Sequence, residues 1–173
     1  RIQGSPMQTT AYLNKLFGCA GRTAVVTGAS SGLGAAMASA LAQAGANVLA
    51  VARRRDRLEA LAEDTKSMEG RVEPCTADLQ STEDIAHIAE EVARIFGGCD
   101  VLVSNAGSGM RAPLNRMEEN DFSNALHLNT TAQWQLSKAL FPLLKSSGSG
   151  RIINVASVYG LGASVMHGLG AYT

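Results

Sequence analysis

The amino-acid sequence predicts an α/β protein with a doubly wound parallel sheet, in a three-layer α/β/α arrangement. Short apolar runs rich in β-branched residues alternate along the chain with segments of helical periodicity. Strands of this apolar kind are typical of parallel sheets that helices cover on both faces. The composition agrees: of 173 residues, 46% are hydrophobic and 17% are charged. These values suit one folded domain with a sizeable core and argue against a disordered chain.

Three strand–helix pairs are predicted first. The predicted strands are 23–27 (TAVVT), 47–51 (NVLAV) and a weaker one at 71–76, and the predicted helices are 32–44, 56–67 and 81–96. Asp56 is the expected N-cap of the second helix. The S-T-E-D stretch from Ser81 is a capping-box-like start for the third helix, which Gly97 and Gly98 end.

The remaining elements continue the alternation. Residues 100–103 (DVLV) and 151–155 (RIINV) are the fourth and fifth predicted strands, and 121–145 is a long helix between them. We expect this helix to bend or break near Pro142, because proline lacks the backbone N–H that an interior helical position uses. Since open parallel sheets bind ligands beyond the carboxyl ends of their strands, the residues that follow each strand are the candidate site.

The first strand is followed by a glycine-rich loop, TGASSGLG, at 27–34. It lacks the lysine of a P-loop and the G-x-G-x-x-G spacing of the common dinucleotide fingerprint. Gly28 nevertheless allows a tight turn, and Gly32 and Gly34 would let the backbone approach a pyrophosphate at the positive end of the next helix. The alternative is a simple glycine-rich turn between strand and helix.

After the second strand, Ala52 and Arg53 occupy the place where an NAD site carries a carboxylate for the ribose 2′-hydroxyl. An arginine there suits the 2′-phosphate of NADP through bidentate contacts. The alternative is a solvated basic start to a helix, which is the interpretation we give to Arg55 and Arg57.

The later strand ends carry further candidates. Asp78 follows the third strand, where it could contact an adenine amino group or serve only as a turn residue. The segment 104–107 (SNAG) follows the fourth strand and could line a flat cofactor face or form a turn. Ser157 follows the fifth strand, and with Tyr172 it could converge on one carbonyl. A Ser157 nucleophile is the rival hypothesis, but no G-x-S-x-G elbow surrounds it.

Other classes of function are disfavoured. Lys+Arg and Asp+Glu are both 15, so the formal net charge is zero, which argues against nucleic-acid binding. No apolar run approaches the length of a membrane span. Three widely spaced cysteines indicate neither a zinc site nor a redox dithiol, and they fit a reducing, cytoplasmic compartment. We expect residues 1–6 to be an expression-vector remnant and 7–173 to be a single domain.

Four motifs in this order resemble the short-chain dehydrogenase/reductase family, from Gly21 onward. TGASSGLG matches the family's TGxxxGxG loop, SNAG matches its NNAG with Ser104 in place of the first Asn, RIINVAS matches the strand before its catalytic serine, and AYT matches the start of YxxxK. The resemblance implies a Rossmann-like fold and an NADP(H)-dependent oxidoreductase of a secondary alcohol or ketone, with faint similarity to gluconate 5-dehydrogenase-like and 3-oxoacyl-carrier-protein reductase-like members.

Residue by residue, the resemblance implies specific roles. Tyr172 would be the general acid/base, Ser157 would orient the carbonyl oxygen, and Asn129 would anchor a proton-relay water. Thr27 would tie the glycine loop to the neighbouring strand end, and Asn105 would support the central strands. The implied cofactor contacts are Thr27, Gly28, Ser30, Ser31, Gly32, Leu33, Gly34, Arg53, Asp78, Leu79, Asn105, Ala106 and Gly107. The helix with Trp134 resembles the one that members use to form homodimers or homotetramers.

Two departures from the family pattern are visible. The family's lysine stands four residues after the tyrosine, whereas here Tyr172 is followed only by Thr173. We therefore expect a truncated chain whose sheet is incomplete at the C-terminus. The interval from Ser157 to Tyr172 is also slightly longer than usual for the family. A nucleotide-binding protein without turnover is the alternative function.

Overall fold

The structure, a computed structural model, describes residues 6–109 and 116–157. In chain order its elements are α1 (Pro6–Phe17), β1 (Thr23–Thr27), α2 (Gly32–Gln43), β2 (Asn47–Ala52), α3 (Arg55–Asp64), β3 (Val72–Thr76), α4 (Thr82–Phe96), β4 (Val101–Ser104), α5 (Glu119–Leu126), a π-helix (His127–Thr131), α6 (Ala132–Ser146) and β5 (Arg151–Asn154). The predicted order of strands and helices is confirmed, and the boundaries of β1 agree with the prediction to the residue.

The five strands form one parallel sheet in the order β3-β2-β1-β4-β5. Val25 of β1 stands opposite Leu49 of β2 on one side and Leu102 of β4 on the other. The chain moves outward from β1 through β2 to β3, then returns to place β4 on the other side of β1. The predicted doubly wound parallel sheet is thus confirmed, and β1 and β4 flank the point where strand order reverses.

Alternate residues of the buried strands pack into two separate cores, one on each face of the sheet. The α4 and α6 face is formed by Val25, Leu49, Val51, Leu102, Ile85, Ile88, Val92, Ala132, Leu136, Leu140 and Leu144. The α2 and α3 face is formed by Ala24, Val26, Val48, Ala50, Ala38, Ala42, Leu58 and Leu61. Both faces of the central strands are therefore buried, which is why their sequences are continuously apolar rather than alternating.

The helix ends follow ordinary capping chemistry, with one correction. Ser81 caps α4 as predicted, because its Oγ accepts the N–H of Asp84 at 3.1 Å, and Gly97 ends that helix in the left-handed conformation. The prediction that Asp56 caps α3 is wrong. Arg54 is the N-cap, and Asp56 lies in the first turn. There its negative charge still interacts favourably with the positive end of the helix dipole.

Of the bend or break predicted near Pro142, the break is wrong, because α6 continues through this residue to Ser146. Leu136, Leu140 and Leu144 bury one face of α6 in the core, and this packing maintains the helix despite the missing N–H. The long helical segment is interrupted instead by the π-helix His127–Thr131, which begins fifteen residues before Pro142. No sequence signal had indicated that position.

Two exposed regions lie at the ends of the described chain. The helix α1, for which no prediction was made, carries exposed apolar side chains at Tyr12, Leu16 and Phe17. Among the described strands, β5 pairs only with β4, and it is exposed throughout. Within the described residues, no helix has both the length and the apolar character needed to cross a bilayer.

Candidate functional site

The carboxyl ends of β1, β2, β3 and β4 surround a cavity of about 270 Å³. Eight of the residues predicted to contact a cofactor line it: Gly28, Ser30, Ser31, Arg53, Asp78, Leu79, Ala106 and Gly107. Its remaining lining residues are Val51, Ala52, Arg54, Ala77 and Leu128. The strand ends that were separate candidates in the sequence therefore meet at one site.

The glycine loop has the backbone geometry that only glycine adopts easily. Gly28 has a φ of 68° and Gly32 a φ of 57°, values in the left-handed region that a side chain would strain. At Gly34, a Cβ would collide with the carbonyl oxygen of Gly28. The loop therefore lies directly against the start of α2. The first N–H groups of this helix have no partner within the helix and could donate hydrogen bonds to an anion.

Thr27 and Asn105 join the loop to the end of β4 below the cavity. The Oγ1 of Thr27 donates to the carbonyl oxygen of Val103 at 3.3 Å and accepts the backbone N–H groups of Asn105 at 2.9 Å and Ala106 at 3.0 Å. Thr27 is fully buried. These two predicted residues support the cavity rather than line it.

Gly32, Leu33 and Gly34 also lie outside the cavity lining. Gly32 is the first residue of α2, and Leu33 directs an exposed side chain away from the core. A contact between this turn and a ligand would therefore come from backbone N–H groups.

Arg54 is a site residue that the sequence reasoning missed. Its Nη2 donates to Ser30 Oγ at 2.9 Å and to Ser31 Oγ at 2.8 Å, so one guanidinium joins the glycine loop to the end of β2. The predicted Arg53 lies beside it, with Nη1 3.9 Å from Oδ2 of Asp78. The only available signal was the position of Arg54 within a run of three arginines, which does not show which side chain faces the loop.

Of the two roles that its position allowed, Asp78 has the turn role in the structure. Its backbone N–H donates to Oδ2 of Asp84 at 2.7 Å, and its own Oδ1 accepts the N–H of Gln80 at 3.1 Å. It is therefore a turn residue that precedes α4. It also lines the cavity, so its turn geometry determines where the carboxylate lies.

A second and larger cavity, of about 760 Å³, adjoins the first at the ends of β4 and β5. Ala106 and Gly107 line both cavities, while Asn129 and Ser157 line the larger one. Asn129 lies in the π-helix, and its Nδ2 donates to the carbonyl oxygen of Ser108 at 2.9 Å while its Oδ1 accepts the N–H of Ser108 at the same distance. Tyr172 lies outside the described residues.

The described residues contain no group of His, Cys, Asp and Glu that could hold a metal ion. The buried thiols are poor nucleophiles. Burial raises the pKa of Cys75 to about 11, and burial likewise raises the pKa of Cys99 to about 11. The polar chemistry of these cavities therefore comes from hydroxyl, amide, guanidinium and carboxylate groups.

Comparison with known proteins identifies relatives across nearly the whole chain. A sequence model of the family described as short chain dehydrogenase matches residues 22–173. The 3-oxoacyl-(acyl-carrier-protein) reductase FabG of Thermotoga maritima is 32% identical over 141 residues, which cover 82% of this chain and 57% of the relative. The chain thus spans somewhat more than half the length of this curated relative.

Solved structures show the same similarity. A protein described as an NAD(P)-dependent gluconate 5-dehydrogenase from Beutenbergia cavernae, with bound NADP, is 40% identical with a TM-score of 0.80, covering 90% of this chain and 61% of that one. L-Sorbose reductase from Gluconobacter frateurii, complexed with NADPH and L-sorbose, is 34% identical with a TM-score of 0.80, covering 84% and 56%. The predicted similarity to gluconate 5-dehydrogenase-like and 3-oxoacyl-carrier-protein reductase-like proteins is confirmed.

Proposed function

The chain belongs to the short-chain dehydrogenase/reductase family. From that premise we propose that the protein is an oxidoreductase that uses NADP(H) to interconvert a secondary alcohol and a ketone. The observation that carries this proposal is the cavity in which the glycine loop, two arginines and Asp78 meet. The proposal extends to the whole protein, because the chain spans little more than half the length of its curated relatives.

The residues around the cavity fit a dinucleotide that carries a 2′-phosphate. The start of α2 and the glycine backbone suit a pyrophosphate. Ala52, not a carboxylate, ends β2, while Arg53 and Arg54 line the cavity there together with Ser30 and Ser31. Their donors suit a phosphate dianion, whereas an Asp or Glu at this strand end would select the ribose hydroxyls of NAD.

When bound, the nicotinamide cofactor supplies or accepts the hydride. The chain's own residues then position the reactants and handle the proton. In this proposal Ser157 donates a hydrogen bond to the substrate oxygen, and Tyr172 protonates that oxygen in reduction or removes its proton in oxidation. A free phenol has a pKa of about 10, so Tyr172 needs a nearby positive charge to act as a base near neutrality.

The substrate that this site would take is a small carbonyl compound or the corresponding alcohol. Support comes from the larger cavity, whose lining includes hydroxyl and carboxamide side chains from Ser137, Asn129 and Ser157. Such groups hydrogen-bond a polar substrate. The solved relative with L-sorbose bound shows that one family member of similar fold accepts a polyhydroxy ketone.

The nucleotide preference can be tested by titrating the full-length native protein with NADPH and NADH. We expect tighter binding of NADPH, and we expect Arg54→Ala and Arg53→Ala each to weaken NADPH by about tenfold while leaving NADH nearly unchanged, since a charge-assisted hydrogen bond contributes about 1.5–3 kcal/mol. Arg57→Ala is the matched control, because Arg57 is an exposed arginine in the first turn of α3, close to Arg53 and Arg54 in sequence, and it pairs with Asp56. A wild type that prefers NADH would overturn the proposed cofactor.

Turnover is tested separately, with NADPH oxidation followed at 340 nm (an ordinary nicotinamide assay) against a panel of ketones. Ser157→Ala and Tyr172→Phe should reduce kcat by at least about a hundredfold while NADPH still binds, since acid–base catalysis contributes about 10²–10⁴-fold. Binding without any turnover of the native protein would favour the alternative, a nucleotide-binding protein.

We also propose that the protein forms a homodimer or homotetramer through α6 and that it works in the cytoplasm. Support for the first point comes from Trp134 and Phe141, which are exposed on one stripe of this helix with Lys138 between them. The Nζ of Lys138 lies 5.4 Å from the centre of the Trp134 ring. Phe141→Glu should therefore lower the mass measured by light scattering, whereas Ser146→Glu, an exposed position of α6 outside this stripe, should change it less.

A further inference from the structure

The π-helix leaves one backbone carbonyl without its regular partner. The N–H of Ala132 donates to the carbonyl oxygen of His127, five residues earlier. In an α-helix the same N–H would donate to Leu128, four residues earlier. The carbonyl oxygen of Leu128 instead accepts Nε2 of Gln133 at 3.1 Å, so a side chain replaces the backbone donor that the π-helix redirects.

The same nitrogen reaches the end of the sheet. Nε2 of Gln133 also donates to the carbonyl oxygen of Ala106 at 2.8 Å. Ala106 follows β4 and lines both cavities. One carboxamide therefore joins the π-helix to the segment that separates the two cavities.

A second connection lies four residues earlier on the helix. Asn129 makes two hydrogen bonds with the backbone of Ser108. Between the two connected residues, a Cβ on Gly107 would lie 3.0 Å from Oδ1 of Asn129, which shows how closely this segment approaches the helix. Gln133 thus holds the first residue of the segment 106–108, and Asn129 holds its last.

We propose that Gln133 is a positioning residue for the reaction, in that it sets the place of the segment 106–108 between the cofactor cavity and the substrate cavity. This inference rests on the proposed function, since the reaction is the one proposed above. Gln133 acts through Ala106 and the π-helix, not by touching the reacting atoms. Because 1 Å of displacement between reactants can cost about a hundredfold in rate, a loss of this connection should appear mainly in kcat.

The orientation of the carboxamide makes the test practical. The carbonyl oxygens of Leu128 and Ala106 can only accept, so the amide nitrogen of Gln133 must point toward them. The oxygen, Oε1, is buried and has no hydrogen-bond partner among the described residues. Replacing Gln133 by leucine removes this unpaired buried acceptor but also leaves the carbonyl oxygens of Leu128 and Ala106 without their donor, so we expect folding stability to fall, and kcat is compared at a temperature where each variant is fully folded.

The experiment uses the full-length native protein with Gln133→Leu, Gln133→Glu and, as matched control, Gln135→Leu. Gln135 lies on the same helix and makes no side-chain hydrogen bond with the described residues. We expect Gln133→Leu to lower kcat by at least tenfold while the Kd for NADPH changes less than threefold, and Gln135→Leu to change neither by more than twofold.

Gln133→Glu supplies a readout that a purely structural role would not produce. Its carboxylate presents only acceptors to the carbonyls of Leu128 and Ala106, whereas the protonated acid has one O–H donor. Burial next to carbonyl oxygens raises the pKa of such a carboxyl. The ratio of kcat in this variant to kcat in the wild type should therefore rise as the pH falls from 8 to 6. A flat ratio, or a kcat for Gln133→Leu within twofold of wild type, would overturn the positioning role.

Backbone amide exchange separates this inference from the proposed function. If the wild type binds NADPH and reduces no ketone, the proposed reaction fails, and the positioning role for that reaction fails with it. The connection itself is then judged by exchange of the amides in 106–109. Faster exchange in Gln133→Leu than in Gln135→Leu supports the connection, and equal exchange overturns it.

Discussion

Thr27 and Asn105 are joined by two hydrogen bonds across the crevice between β1 and β4, where the strand order of the sheet reverses. The Nδ2 of Asn105 donates to the carbonyl oxygen of Thr27 at 2.9 Å, and the backbone N–H of Asn105 donates to Oγ1 of Thr27 at 2.9 Å. Beyond the last β1–β4 backbone pair, Val26 with Val103, side chains thus continue the connection. This pair holds the glycine loop against the segment that lines the candidate site.

Thr27→Val should destabilise the fold by about 2–4 kcal/mol. Valine has nearly the same shape but lacks the oxygen that accepts the N–H groups of Asn105 and Ala106, and an unsatisfied buried donor costs about 1–3 kcal/mol. Urea denaturation measures the change. Thr23→Val in the same strand is the control, since the Thr23 side chain is also buried but makes no hydrogen bond with the described residues, and it should change stability less than Thr27→Val does.

Gly34→Ala should destabilise the protein by about 1–3 kcal/mol, although alanine is the better helix former by about 1 kcal/mol. The added methyl would meet the carbonyl oxygen of Gly28, a backbone atom that cannot move without disturbing the loop. Thermal unfolding measures this effect. Gly98→Ala is the control because a Cβ there has open space around it. Equal stability of the two variants would contradict the close approach of Gly34 and Gly28.

Asp84→Ala should lower stability by about 1–3 kcal/mol and weaken nucleotide binding by more than threefold. Oδ2 of Asp84 accepts the N–H of Asp78, a charge-assisted bond of the stronger kind. Without it, the Asp78 carboxylate loses its fixed place at the cavity. Isothermal titration with NADPH measures the second effect. Glu90→Ala, an exposed change on the same helix, should leave both quantities unchanged, and similar losses in the two variants would refute the role of Asp84.

Cys75 and Cys99 should resist alkylation in the folded protein at pH 8. Burial raises the pKa of each thiol to about 11, so only about one molecule in a thousand carries the reactive thiolate at pH 8. Mass spectrometry after iodoacetamide treatment should find the label on the partly exposed Cys19 first. Urea provides the control, because unfolding should make all three cysteines react at similar rates.

The raised pKa of Cys75 also makes the folding stability depend on pH. An acid whose pKa is higher in the folded state than in the unfolded state contributes stability below the unfolded pKa, and this contribution is lost as the pH rises through the folded value. The free energy of unfolding should therefore fall between about pH 9 and pH 11. The fall should be shallower in Cys75→Ala. An identical slope in wild type and variant would contradict the raised pKa of this thiol.

Local chemistry explains why so many elements were predictable. The strand β1 is a continuous β-branched run, α4 starts at the hydroxyl of Ser81 and ends at Gly97, and each of these signals acts within a few residues. The position of the site also followed from sequence, since parallel strands place their carboxyl ends at one edge of the sheet. Residues with special backbone needs, such as Gly28, were visible because few other residues tolerate such geometry.

The sequence by itself therefore determined the doubly wound order of the elements, the family and the strand ends that form the candidate site. The tertiary structure decided which side chains meet there. Arg54, rather than Arg53, contacts the serines of the glycine loop, and Gln133 connects the π-helix to Ala106. A guanidinium or carboxamide can rotate toward many partners, and the i→i+5 bond of a π-helix competes closely with the i→i+4 bond of an α-helix. Such choices depend on groups distant in sequence, and they are resolved only when the sheet and helices are packed together.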